Sequence, residues 1–224
     1  MRLHAEGYDI ALHFRDSATE AAILQDELER RRHNSTTLLR AELLETDELP
    51  RLVERVMLRF GRLDVLVNNA SSFFPTPIGK ITEAVWDTLM AVNVKAPLFL
   101  SQAAAFHLRQ TRGAIVNLVD IYAERPLAQH SVYNISQAAL QMLTLSLAQE
   151  LAPEVRVNAI APGAILWPEA DDDPDRQKEL LARTPLQRIG TAEEIARAVV
   201  FLARDAGYTT GQVLRVDGGR WLAI

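Results

Sequence analysis

The sequence predicts an α/β fold built on a doubly wound parallel sheet. Three observations carry this expectation. Short apolar or β-branched runs recur at 9–14, 36–40, 64–70, 114–120, 155–163 and 212–220, with segments of helical character between them. The runs DVLVNNA (64–70) and AIVNLVD (114–120) are apolar almost throughout, as strands buried on both faces are. Both stop on polar residues, and ligands of open α/β sheets bind beyond the carboxyl ends of the strands.

Taken in order, Met1 to Gly7 reads as the tail of a helix stopped by glycine, leading into the strand DIALHF (9–14). Ser17 and Glu20 have the spacing of a capping box for a helix that runs to about Arg32. A strand is expected at Thr36–Arg40, then a helix from about Asp47 to Phe60, with Pro50 in its first turn and Gly61 at its end. Thr82 starts a helix toward Asn93, which Pro97 is expected to interrupt or restart. After AIVNLVD comes a long helix from Tyr133 through Leu151, with apolar residues around much of its circumference. VRVNAIAPG (155–163) is a strand. The acidic stretch 169–179 reads as a mobile loop entering a short helix. Thr191 and Glu194 form a second capping-box pattern, and QVLRVDGGR (212–220) gives the last strand and a Gly-Gly turn.

Composition narrows the function classes. The 224 residues suit one domain, 1–224, with an apolar fraction of 48% and a charged fraction of 24%. A net charge of −5 argues against nonspecific nucleic-acid binding. No apolar run approaches the roughly 18 residues of a membrane span, and the opening MRLHAEGYD is unlike a secretory signal. Without cysteine there is no disulfide or thiolate metal site, and the five histidines lack metal-ligand spacing. A cytoplasmic location is expected.

The strand-end motifs resemble the short-chain dehydrogenase/reductase family. NNAS (68–71), Asn93 in VNVKAP, Tyr133 in YNISQ, Pro162-Gly163 in APG, and Asp217-Gly218-Gly219 occur in the family's order and spacing. NNASSFFPTP (68–77), Asp120 in place of the more usual serine, and LHFRDS (12–17) are similar to its pteridine reductase subgroup. The resemblance implies a Rossmann-like fold, the cofactor NADP, a pterin or dihydropterin substrate and a homotetramer. Other small carbonyl substrates, or a non-catalytic subunit or binding partner, are the alternatives.

The resemblance also implies roles. Tyr133 is the proton donor, Asp120 orients or relays the proton, and Asn93 holds a water or a backbone kink in that relay. A phenol with an ordinary pKa near 10 needs positive charge nearby to donate at neutrality. The family places a lysine one helical turn beyond the tyrosine, where this chain has Gln137, which can bond ribose hydroxyls but carries no charge. Asn69, Ala70 and Ser71 lie along the cofactor, with Pro162 and Gly163 on its nicotinamide side. Arg15 and Ser17 follow the second strand of the resembled fold and, with His13, favour NADP over NAD; Asp16 leans the other way but is expected to turn to solvent. Glu42 lies near the adenine. Ser71, Phe73, Asp120, Tyr133 and Trp167 contact the substrate, Phe73 by stacking. One of Phe73 and Phe74 is expected to plug the loop instead.

The ten glycines include no G-x-G-x-x-G or TGxxxGxG turn. In the resembled fold that turn follows a first strand lying between the strands found here at 9–14 and 64–70. A chain without them is expected either to have a sheet split at that place or to force a new pairing across the gap; it reads either as an incomplete version of a longer protein, lacking roughly 25 to 30 upstream residues, or as a genuinely shortened relative.

Overall fold

The computed structural model describes residues 1–166 and 173–223. Its elements are α1 (Arg2–Ala5), β1 (Ile10–Phe14), α2 (Ala18–Arg31), β2 (Thr36–Arg40), α3 (Leu49–Phe60), β3 (Val65–Asn68), α4 (Glu83–Met90), α5 (Ala96–Thr111), β4 (Ala114–Leu118), α6 (Ser131–Leu151), β5 (Arg156–Pro162), α7 (Pro174–Ala182), α8 (Ala192–Val200) and β6 (Val213–Val216). All strand pairings are parallel. The fold is α/β and Rossmann-like, and the strands fall where the apolar runs predicted them.

The sheet is split at the expected place. Among the described residues β1 pairs only with β2, and β3–β4–β5–β6 form a separate four-stranded sheet. β4 is central, and its alternation organises two cores. Ile115 faces Leu108, Leu147 and Val157, while Val116 faces Ile160, Val199 and Leu202. Helices therefore cover both faces of the larger sheet.

The smaller sheet is held by helices rather than by strand pairing. Leu39 of β2 packs with Leu49 and Leu52 of α3 and Ala96 of α5. α1 reaches both parts. Leu3 lies against the α8 cluster, Arg2 pairs with Glu193 at 3.0 Å, and buried His4 shares a 2.7 Å hydrogen bond with Ser35 just before β2.

Two local expectations are corrected. Ser17 does precede α2, but its side chain makes no capping bond; its backbone, at φ −77° and ψ 54°, lies outside the usual extended cap conformation. At Thr191 both halves of the capping box form. Pro97 does not break its helix, because a π-turn over Ala91–Lys95 lets the Ala96 N–H reach Ala91, and α4 runs on into α5. The resulting helix, Glu83–Thr111, is long and apolar enough to cross a membrane by length and composition alone, although Asn93 and Lys95 interrupt its apolar run. Its Ala96, Ala104 and Leu108 are buried in the core clusters, as in the core helix of a globular fold.

Candidate active site

The site lies beyond the carboxyl ends of β3, β4 and β5. A buried polar ladder fixes those ends. Asn68 Nδ2 donates to Asn117 Oδ1 at 2.8 Å, and Asn117 Nδ2 donates to Thr144 Oγ1 of α6 at 2.9 Å. Buried amides so paired cost little and lock the register of strand against helix.

Asp120 follows β4 and caps a 3-10 turn, Ile121–Ala123. Its Oδ1 accepts from the Tyr122 N–H at 2.9 Å, and its Oδ2 accepts from the Tyr133 hydroxyl at 2.9 Å. The capping role and the partnership with Tyr133 thus coexist in one carboxylate. Tyr133 sits in the first turns of α6 and is buried. Thr76 secures that helix start: its Oγ1 accepts from the Val132 N–H at 3.1 Å, and its own N–H donates to Gln129.

Burial acts strongly on this pair. Desolvation raises the Asp120 carboxyl from 3.8 to about 6, against the lowering effects of the Tyr122 N–H, the Tyr133 hydroxyl and the Arg220 charge. Desolvation, then the Asp120 charge and hydrogen bond, push the Tyr133 phenol far up. The two groups are separated in acidity, and the carboxyl titrates nearer neutrality.

Phe73 is half exposed and meets the Tyr133 ring edge-on at 4.8 Å. His130 stacks on Phe73 at 4.8 Å and 11°. Phe74 is the plug, packed with Leu89, Val132 and Tyr133. Asn93 lies in the π-turn and is buried. Its Oδ1 accepts from the Ser72 N–H at 2.8 Å, and its Nδ2 donates to the Ser72 carbonyl at 3.0 Å and to Ser136 Oγ at 2.9 Å. It therefore ties the loop after β3 to α6, one residue from Phe73.

Gln137 is buried one turn after Tyr133, and its Oε1 has no partner among the described residues. An orphaned buried acceptor is costly and calls for a donor. Asn69, Ala70 and Ser71 are exposed at the end of β3. Pro162 closes β5, and Gly163 follows because the chain passes close to Asp217: a Cβ on Gly163 would lie 2.7 Å from the Asp217 Cα.

The residues expected at the 2′-phosphate stand apart, beyond β1 in the smaller sheet. Arg15 is exposed, but Asp16 is not simply turned to solvent: it holds the Arg15 guanidinium at 2.7 Å, with Glu42 at 3.8 Å. His13 contacts the Ala41 carbonyl at 3.1 Å. Trp167 lies outside the described residues, and Leu166 beside it is exposed. Sequence reasoning missed Tyr122, His130, Ser136 and Arg220. The first three lie in the stretch 120–137 and were passed over beside Asp120 and Tyr133; Arg220 reaches the site only through tertiary packing.

Comparison with known proteins shows the family. Residues 1–220 match the family described as enoyl-(acyl carrier protein) reductase. The chain is 38% identical to "Pteridine reductase 1" of Leishmania tarentolae, over 97% of this chain and 89% of that protein. The chain belongs to the short-chain dehydrogenase/reductase family. It is also 34% identical to a 3-oxoacyl-[acyl-carrier-protein] reductase of Staphylococcus aureus, over 99% of this chain and 92% of the relative. With "L-xylulose reductase" of Caenorhabditis elegans it shares 43% identity, over 69% of this chain and 64% of that protein. These short-chain reductases are oxidoreductases acting on different small molecules, so family membership makes this chain a reductase of that type without choosing its substrate.

Proposed function

We propose that this short-chain reductase is an NADPH-dependent reductase of a pterin or dihydropterin. The observation that carries the reading is the Asp120–Tyr133 pair, bonded at 2.9 Å, with Phe73 edge-on to the same tyrosine. A flat heterocycle needs an aromatic surface to lie on and a proton source for a ring nitrogen. Phe73 offers the first and the pair offers the second.

The residues present fit the cofactor at two ends. The orphaned Gln137 Oε1 suits a ribose hydroxyl, with Asn69, Ala70, Ser71, Pro162 and Gly163 around the nicotinamide half. Arg15, with His13 and Ser17, suits a 2′-phosphate at the other end, although Asp16 and Glu42 offset part of the Arg15 charge. The sequence given contains no glycine-rich turn for the pyrophosphate. When bound, the cofactor supplies a hydride. The protein's part is to hold a proton and deliver it. Asp120, titrating at about 6, stores the proton, and Tyr133, hydrogen-bonded to its Oδ2, passes one from its hydroxyl and regains it from the carboxyl. Asn93 keeps the Phe73 loop against α6 while this happens.

The same reading takes the chain as one domain working as a cytoplasmic homotetramer. The exposed apolar residues Phe106 on α5, and Ile135, Met142 and Leu145 on α6, support self-association. Reductases of other small carbonyl compounds among the relatives, at similar identity, favour a second substrate class.

The test is an NADPH-oxidation assay with dihydropterins, pterins, simple ketones and a 3-oxoacyl thioester. Preference for the pterins is the expected result. Preference for a carbonyl substrate moves the assignment to the second class, and binding of NADPH without turnover of any compound moves it to a non-catalytic role.

A further inference from the structure

The family's lysine position is neutral here, yet one cation reaches the acid/base pair from the far end of the chain. Arg220 opens a 3-10 turn, Arg220–Ala223, after the Gly218-Gly219 turn that ends β6. Its Nη2 donates to the Tyr122 hydroxyl at 3.1 Å, across 98 positions of sequence. Tyr122 in turn donates its backbone N–H to Asp120 Oδ1. Arg220, Tyr122, Asp120 and Tyr133 therefore form one connected set.

The Arg220 Nη1 is buried and has no hydrogen-bond partner among the described residues. A guanidinium does not shed its proton to relieve burial. Such a charge is tolerable where a carboxylate lies in its field. Arg220 does act on Asp120 through space, in the direction that favours the carboxylate.

We propose that Arg220, held by the Tyr122 hydroxyl, is a positioning residue that supplies to the Asp120–Tyr133 pair, through space, the positive charge that Gln137 does not carry. Of the other charged and titratable groups nearby, Asp217 on the same turn accepts from the Gly219 and Trp221 N–H groups. Tyr122 and Tyr133 are phenols, and His130 lies across Phe73 from Tyr133. Glu124 ion-pairs with Arg215, and Arg125 and Arg215 flank the Trp221 ring at 4.6 and 4.2 Å. Arg220 is the cation that both touches Tyr122 and acts on Asp120. In this arrangement the C-terminal turn sets how readily the site holds its proton, whichever small molecule is reduced.

The experiment is a 13C NMR titration of the Asp120 carboxyl in the full chain without cofactor. Wild type, Arg220→Gln, Arg220→Met and Arg220→Lys are compared, with circular dichroism to select folded variants. Either neutral substitution raises the Asp120 midpoint by roughly half to one pH unit, and lysine restores most of the difference. An unchanged midpoint in a folded neutral variant overturns the proposal, as does loss of the fold in both neutral variants, which makes Arg220 a structural residue. The readout needs neither substrate nor turnover, so a failure to reduce pterins and a failure of this proposal are separate outcomes.

Discussion

At the residue scale the proposed chemistry rests on two side chains, Asp120 and Tyr133, whose acidities burial has pulled apart. Tyr133→Phe removes the hydroxyl that meets Asp120 and is expected to lower turnover by about 100-fold or more, the usual span of general acid catalysis. NADPH affinity, read by fluorescence titration, stays nearly unchanged, because the ring remains. Gln137→Lys places a charge one turn from the phenol and should raise turnover; an unchanged rate removes position 137 from the acidity argument. Asp120 also leaves a mark on stability. Its folded value of about 6 lies above the ordinary 3.8, so its contribution is fully present below about pH 4 and is lost as the pH rises through 6. The loss at pH 7.5 is on the order of 2–3 kcal/mol. Asp120→Asn should therefore melt higher than wild type at pH 7.5, and the advantage should shrink toward pH 4. Asp120 and Tyr133 were legible in the sequence through the family resemblance of the motifs around them. Arg220 was not, since nothing in DGGRW says which part of the sheet the turn will meet.

At the scale of elements, patterning read most strands closely and failed where geometry was decided by a neighbour. The strand at 36–40 was placed to the residue, whereas Pro97 promised a helix break that a single wide turn absorbed. Ser17 had the composition of a capping box without its hydrogen bond, while Thr191 had both. Thr191→Ala should consequently cost about 1 kcal/mol in urea denaturation, and Ser17→Ala well under that. Gly163 is a sharper case. Its motif marked a site, but its local requirement is the approach of Asp217, into which a Cβ cannot fit. Gly163→Ala should force β5 and the Asp217 turn apart and destabilise by roughly 1–3 kcal/mol. A loss within a few tenths of a kcal/mol would show that the close approach relaxes freely.

For the whole molecule, the split between β1–β2 and β3–β6 governs behaviour. The larger sheet has a central strand and cores on both faces, whereas the smaller has two strands leaning on α3 and α5. Amide exchange should accordingly be faster in β1 and β2 than in β4 and β5, because a two-stranded unit opens at lower free energy. In the proposed reading the split matters for function, since Arg15 follows β1 of the smaller sheet and Asp120 follows β4 of the larger. A dinucleotide reaching from Arg15 to Gln137 spans both, and should protect β1 and β2 on binding. The measurement that tests the account most directly follows a deuteride from labelled NADPH into a dihydropterin by mass spectrometry, in wild type and in Tyr133→Phe. Label in the tetrahydropterin with wild type, and a loss of about 100-fold or more with the variant, is the predicted result. Equal labelling by both proteins, or none from wild type while NADPH is bound, contradicts it.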